Sequence, residues 1–228
     1  MKLILIIIIL IIILYYYVNE SFTDQKNKWI VLLTMCVNPN QLDIDPSTDA
    51  NEKINYRKEL YTNVINNWLE KTSLPIYVVE SSGYNFNDIK NDRLVVFTFN
   101  GDPQPNSSIA EAKSILYALE QLENYDINYT HILKVTGKYY LDNIESTINM
   151  LPYDYDIYTQ QHCNHEWKQQ NTEYYGIKKD LYYEFANTCG YNMESHMYHF
   201  MTNKQIARFP ITFSNNIAKN VGDIITNL

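Results

Sequence analysis

The sequence has little glycine, little cysteine and few positive charges, and each shortage excludes a class of protein. Six glycines occur in 228 residues, and none is arranged as GxGxxG or GxxxxGK[ST]. The fingerprints of dinucleotide-binding proteins and of P-loop phosphate sites are therefore missing. Three cysteines are too few for a disulfide framework. Lys and Arg number 18 against 26 Asp and Glu, and this acidic balance argues against nucleic acid as a partner.

The amino terminus carries a long hydrophobic run. Leu3–Val18 is uncharged over sixteen residues, of which twelve are Leu or Ile, and it ends with three tyrosines and a valine. As a helix this run would be about 24 Å long, close to the ~30 Å hydrocarbon core of a bilayer, and tyrosines favour the membrane interface. We predict a transmembrane signal anchor at 1–18, followed by a polar stem at 19–28. A cleaved signal peptide and a buried helix are the alternatives.

The anchor predicts a single-pass membrane protein, with the membrane as one partner. Lys2 is the only cation before the run, and the positive-inside rule therefore places the amino terminus in the cytosol. The domain at 29–228 would then lie in the secretory lumen or elsewhere outside the cytosol, which is the type II orientation.

Beyond the stem, short apolar runs alternate with amphipathic segments. Strands are predicted at 29–37, 76–79, 94–99 and 131–136, and helices after Asp49–Glu52, after Ser108–Glu111, and at about 178–187 and 193–201. This alternation predicts an α/β fold, as a single Rossmann-like domain with a mainly parallel central sheet. Because Ser108 and Glu111 have capping-box spacing, we interpret Glu111 as a capping residue in preference to a ligand contact.

The ends of the predicted strands indicate where a ligand would bind. In an open parallel sheet the ligand crevice lies beyond the carboxyl ends of the strands. Four such ends are polar here, at 34–37, 80–83, 100–102 and 136–138. We therefore take Thr34, Glu80 and Ser82 as candidate substrate-binding residues on the first two strands.

One segment carries a resemblance to a known family. The sequence HILKVT at 131–136, followed by GKYYL, resembles the K-[IVL]-[TS]-G-[RK]-Y segment of small glycosyltransferase-like proteins of bacteria and large DNA viruses. Those proteins have the A-type nucleotide-diphospho-sugar transferase fold. Ala110–Lys113 resembles the family's helix before the central strand, and Val78–Gly83 resembles its second strand end. Thr172–Gly176 and Met193–Glu194 resemble positions on the acceptor side.

The resemblance covers about residues 29–200 and implies a transferase of the A-type fold. Its partners would be a nucleotide-sugar donor and a glycan or glycoprotein acceptor. The end of the fourth strand would bind the donor, and the candidate substrate-binding residues there are Lys134, Thr136, Gly137 and Tyr139. On the acceptor side, Glu173 and Glu194 are the catalytic candidates, since an inverting transferase needs a carboxylate as general base.

The sequence departs from this family where the metal ligands are expected. Many A-type transferases carry an Asp-x-Asp motif after the fourth strand, where two carboxylates hold a divalent metal against the diphosphate. That place reads Val135–Lys138 here, so we assign no metal ligand and the need for a divalent cofactor stays open. Lys134 and Lys138 are the cations available to oppose the charge of a leaving diphosphate. Lys138 is therefore our third catalytic candidate.

The predicted function is sugar transfer from a nucleotide-sugar by a membrane-anchored glycosyltransferase. One alternative is a transferase-like module that has lost catalysis and serves binding or structure, which the missing Asp-x-Asp motif favours. The other is a nucleotidyltransferase, a relative by fold.

Overall fold

The computed structural model describes residues 9–11, 27–38, 50–125, 127–151, 155–161 and 163–209. The strands are β1 Trp29–Met35, β2 Ile76–Glu80, β3 Leu94–Thr98, β4 His131–Thr136, β5 Ile157–Thr159, β6 Cys163–Asn164, β7 Gln169–Gln170, β8 Tyr174–Lys178 and β9 Ile206–Arg208. The helices are α1 Ala50–Lys71, α2 Ser107–Leu122, α3 Ile144–Met150, α4 Lys179–Asn187 and α5 Met193–Phe200.

Seven of these strands form one mixed sheet in the order β3-β2-β1-β4-β8-β5-β9. The first four are mutually parallel, and they are the four strands predicted from the apolar runs. β8 runs antiparallel between β4 and β5, and β9 is parallel to β5. The fold is therefore a mixed α/β domain with a mostly parallel central sheet, as the alternation of elements predicts.

Helices cover both faces of the sheet because its strands are apolar on both faces. All seven residues of β1 are buried, which is the pattern of a central parallel strand. Val31 and Leu33 pack with α1 on one face, while Ile30 and Leu32 pack with α2, α4 and α5 on the other. This alternation follows from the two-residue period of a strand.

The predicted membrane anchor lies almost entirely outside the described residues. Of the segment 1–18, the structure describes residues 9–11 only, and of the stem 19–28 it describes residues 27–28. Within the described ranges, no helix is both long and apolar enough to cross a bilayer. The anchor and the stem therefore remain predictions.

The chain crosses from one side of β1 to the other between β3 and β4, which opens a crevice between the carboxyl ends of β1 and β4. Gly137 joins these ends, because its amide donates to the Thr34 carbonyl at 2.8 Å. A Cβ on Gly137 would lie 2.3 Å from Met35 Cγ and 2.7 Å from the Thr34 carbonyl oxygen. Only glycine fits this close approach of the two strands.

Candidate functional site

A cleft of about 1370 Å³ lies at the carboxyl ends of β1 and β4. Its walls come from α1, from the loop between β3 and α2, from the first turns of α2 and from the start of α5. Six of the ten predicted site residues line it, namely Thr34, Thr136, Lys138, Tyr139, Glu173 and Glu194. The topology therefore brings the strand-end residues and the two predicted catalytic carboxylates into one cavity, while the other four predicted residues lie behind its walls.

Glu80 and Ser82 lie behind the wall formed by the loops after β1 and β2. The Glu80 side chain is 0% exposed. Its carboxylate accepts from the amides of Val37 at 2.8 Å and Tyr84 at 2.7 Å, and from the amide and hydroxyl of Ser82. Ser82 Oγ also accepts from the Asn38 amide. The structure thus gives both residues a position that organises the loops, in place of the direct substrate contact expected from the sequence.

Lys134 is also buried, beneath the floor of the cleft. Its ammonium contacts Glu111 Oε1 at 2.6 Å and donates to Thr136 Oγ1 at 3.0 Å and to the Thr172 carbonyl at 2.9 Å. A lysine ammonium has three hydrogens, and all three are used here. The side chain is 0% exposed, so Lys134 cannot reach a diphosphate without leaving these partners, contrary to the expected substrate contact.

Gly137 is buried at the junction of β1 and β4 and does not line the cleft. Its backbone conformation is not left-handed, since Gly83 is the only glycine with positive φ among the described residues. The reason for glycine here is the close contact between the two strands, and not the substrate contact expected from the sequence.

Glu111 is a cleft residue that the sequence interpretation assigned to helix capping. α2 begins at Ser107, and its N-cap is Asn106, whose side chain accepts from the Ile109 amide at 2.9 Å. Glu111 therefore lies one turn into the helix and the capping interpretation is wrong. Its carboxylate instead contacts Lys134 and accepts from Thr34 Oγ1 at 2.8 Å. The signal in the sequence was Lys134 itself, because a lysine inside an apolar strand needs a partner.

The carboxylates of Glu173 and Glu194 are held in different ways. Glu173 accepts from Gln160 Nε2 at 2.9 Å, and Gln160 is 1% exposed. The Glu173 carbonyl accepts from the Thr136 amide at 2.8 Å, which ties this segment to the end of β4. Glu194 lies in the first turn of α5, where Asn192 caps the helix by accepting from the Ser195 amide.

Burial and neighbouring charges change the pKa of titratable groups in the cleft and close to it. Burial raises the pKa of Cys189 to about 11, with smaller contributions from the charges of Glu111 and Glu194. Burial, and then the charge of Glu173, raises the pKa of Tyr139. Burial also raises the pKa of Cys36 in the cleft wall. Cys36 is thus a protonated thiol at neutral pH and a poor nucleophile.

Among the described residues three cations line the cleft, and two of them, Arg57 and Lys113, were not predicted as site residues. Arg57 Nη1 donates to the Cys36 carbonyl at 3.0 Å, which fixes the guanidinium beside the end of β1. Lys138 lies beyond the end of β4, with its ammonium 5.3 Å from the centroid of the Tyr139 ring. Positive groups therefore flank both strand ends at which an anionic ligand would enter.

The end of β4 lacks the pair of carboxylates that holds a divalent metal in many A-type transferases. Glu111, Glu173, Glu194 and Asp102 line the cleft. Nevertheless, in the part of the chain that the structure describes, no three His, Cys, Asp or Glu side chains come close enough to hold a metal ion. The end of β4 itself supplies a threonine, a glycine and a lysine.

Comparison with known proteins gives no family model and no curated protein that matches the chain. Solved structures do match. A protein of Desulfovibrio desulfuricans G20, assigned as a nucleotide-diphospho-sugar transferase, is similar with a TM-score of 0.51 and 10% identity over 81% of this chain and 80% of that one.

Two further structures are more distant. A cytidylyltransferase of Leptospira borgpetersenii serovar Hardjo-bovis has a TM-score of 0.47 and 11% identity, over 81% of this chain and 76% of that one. The bifunctional IspDF of Campylobacter jejuni has a TM-score of 0.47 and 13% identity, over 78% of this chain and 49% of that one. At 10% identity, the likeness to the Desulfovibrio desulfuricans protein shows a common fold alone.

Proposed function

We propose that this chain is a glycosyltransferase that binds a nucleotide-sugar in the cleft and transfers the sugar to a glycan or glycoprotein. The observation that carries the proposal is the cleft at the ends of β1 and β4. Cations flank both strand ends, and the carboxylates of Glu173 and Glu194 line the same cavity. Ligand pockets are typically about 300–1,000 Å³. A cavity of about 1370 Å³ has room for a nucleotide-sugar and part of an acceptor.

The donor nucleotide lies with its base against the end of β1, near Arg57 and Tyr61, and with its diphosphate near Lys138. An acceptor hydroxyl attacks the anomeric carbon as the bond from that carbon to the diphosphate oxygen breaks. The diphosphate leaves with the electron pair of that bond, and the hydroxyl proton passes to Glu173 or Glu194 as general base. Lys138 opposes the negative charge that develops on the leaving group.

The first test is a thermal-shift panel of UDP, GDP and CMP, each with and without Mn²⁺. A ligand that binds only the folded protein raises the melting temperature, by an amount that grows with the logarithm of its concentration over Kd, and we expect one of the three to do so. If none does, a non-catalytic module is favoured. A nucleotidyltransferase would be supported instead if the protein releases pyrophosphate from a nucleoside triphosphate and releases no nucleoside diphosphate from nucleotide-sugars.

The second test asks whether Lys138 provides the positive charge that a divalent metal supplies in many A-type transferases. We expect sugar transfer to survive EDTA and Lys138→Met to lower the rate at least ~10-fold, which is about 1.4 kcal/mol of barrier. Lys204→Met is the matched control, because Lys204 lies outside the cleft and pairs with Glu184 at 3.9 Å. The idea is wrong if EDTA abolishes transfer, Mn²⁺ restores it, and Lys138→Met remains near normal.

A further inference from the structure

The floor of the cleft holds a carboxylate that uses only one of its two oxygens. Lys134 and Thr34 both contact Glu111 Oε1, at 2.6 and 2.8 Å. Over the ranges of the chain that the structure describes, no group donates to Oε2. The Glu111 side chain is 21% exposed and lines the cleft. One carboxylate oxygen is therefore anchored, and the other is available to a ligand.

Stability alone does not explain this pair. Burying an ammonium costs several kcal/mol, and buried ion pairs are often no more stabilising than apolar side chains of the same volume. What the pair does achieve is orientation. Lys134 has all three hydrogens engaged and is 0% exposed, so it holds Glu111 rigidly at the bottom of the cleft.

The chemistry of the floor selects the kind of ligand group. A carboxylate only accepts hydrogen bonds, and it repels phosphate, so it suits a neutral group that carries donors. Thr136 Oγ1 accepts from Lys134, which leaves its own hydroxyl hydrogen for a ligand. An acceptor beside a donor is the pattern that recognises a vicinal diol.

The position of Glu111 indicates which part of the ligand carries this diol. Its anchors are Thr34 at the end of β1 and Lys134 on β4, so it lies between the proposed base and diphosphate positions. Ribose joins those two parts of a nucleotide. We propose that Glu111 binds the ribose hydroxyls of the donor nucleotide and that Lys134 is the residue that positions it. This inference rests on the proposed function.

The experiment compares ribonucleotides with their 2′-deoxy forms by calorimetric titration of the full-length protein. UDP, GDP and CDP are used without a sugar, so that ribose is the only diol present. A hydrogen bond to a charged group contributes about 1.5–3 kcal/mol. Wild-type protein should therefore bind one ribonucleotide at least ~10-fold more tightly than its 2′-deoxy form. Glu111→Gln should reduce that preference below ~3-fold with little change in affinity for the deoxy form.

Two further variants guard against misfolding. Glu111→Gln leaves Lys134 without its charge partner, so the double variant Glu111→Gln/Lys134→Met removes the buried charge as well, and it should lose the preference too. Glu120→Gln, on an exposed position of the same helix, should keep it. The inference fails alone if the wild type binds a nucleotide without preferring ribose. It also fails alone if Glu111→Gln and the double variant both keep the preference, because Glu111 then has a structural role. If wild-type protein binds none of the nucleotides, the proposed function fails, and the inference with it.

Discussion

Three buried polar side chains support different parts of the cleft wall. Glu80 joins the loops after β1 and β2, Lys134 holds Glu111, and Gln160 holds Glu173. Burying a polar group is costly unless it is hydrogen-bonded, and each of these has several partners. Because the polar atoms of these three side chains are hydrogen-bonded, the wall is rigid. The groups that face a ligand are therefore oriented before the ligand binds.

At Gly137 the contact between strands leads to a prediction about stability. Gly137→Ala places a Cβ against Met35 and the Thr34 carbonyl, and overpacking of this kind typically costs about 1–3 kcal/mol. We expect the free energy of unfolding in urea to fall by that amount, with nucleotide affinity lost only as far as folding is lost. Gly190→Ala is the control, since nothing lies within 4 Å of its added Cβ.

A normal urea midpoint for Gly137→Ala, together with weaker nucleotide binding, would contradict this prediction. It would support Gly137 as a substrate-binding residue, at which the missing side chain allows a ligand to approach the backbone.

The site shows which residues a sequence pattern can place. Polar residues at strand ends, such as Thr34 and Thr136, reach the cleft because the carboxyl ends of parallel strands share one edge of a sheet. Glu80 and Lys134 also lie at or near strand ends, yet both are buried, because polarity alone does not say whether a side chain finds a partner inside the protein. Their partners come from segments distant in sequence.

At the scale of elements, the carboxyl end of α1 depends on an arginine from another part of the chain. Helix termini leave carbonyls without partners inside the helix. Arg93, just before β3, donates to the carbonyls of Leu69, Thr72 and Leu74. This one side chain thus connects the end of α1, the start of β2 and the start of β3.

We expect Arg93→Met to lower the free energy of unfolding by about 1–3 kcal/mol, because hydrogen bonds to charged groups are the stronger ones. Urea denaturation measures this change. Lys90→Met is the matched control, because Lys90 is exposed in the same loop and surface changes usually stay within about 0.5 kcal/mol. Equal midpoints for the two variants would show that water replaces the guanidinium at these carbonyls.

For the whole molecule, the parallel half of the sheet was predictable and the antiparallel half was not. β1 and β4 are apolar runs buried on both faces, and the intervening helices imply parallel neighbours. β8 has only five residues, YYGIK, and pairs with β4 and β5 on either side. No local periodicity specifies that insertion. It brings Glu173, directly before β8, to the end of β4, so this wall of the cleft depends on a strand order that no local sequence pattern predicts.

The last prediction concerns the full chain and its hydrophobic amino terminus. The uncharged run Leu3–Val18 favours a membrane anchor, and the strands and helices whose bounds the structure describes lie within residues 29–208. We expect the full-length protein to stay in the membrane pellet after alkaline extraction. A chain of residues 25–228 should be soluble, melt cooperatively and bind the same nucleotide. Ile8→Lys should release the full-length protein, because a charge at the centre of a span costs about 2.5–3.5 kcal/mol, whereas Ile8→Leu should not. Extraction of the wild type as readily as the truncated chain would contradict the anchor. A mature chain whose mass lacks the first residues would identify a cleaved signal peptide instead.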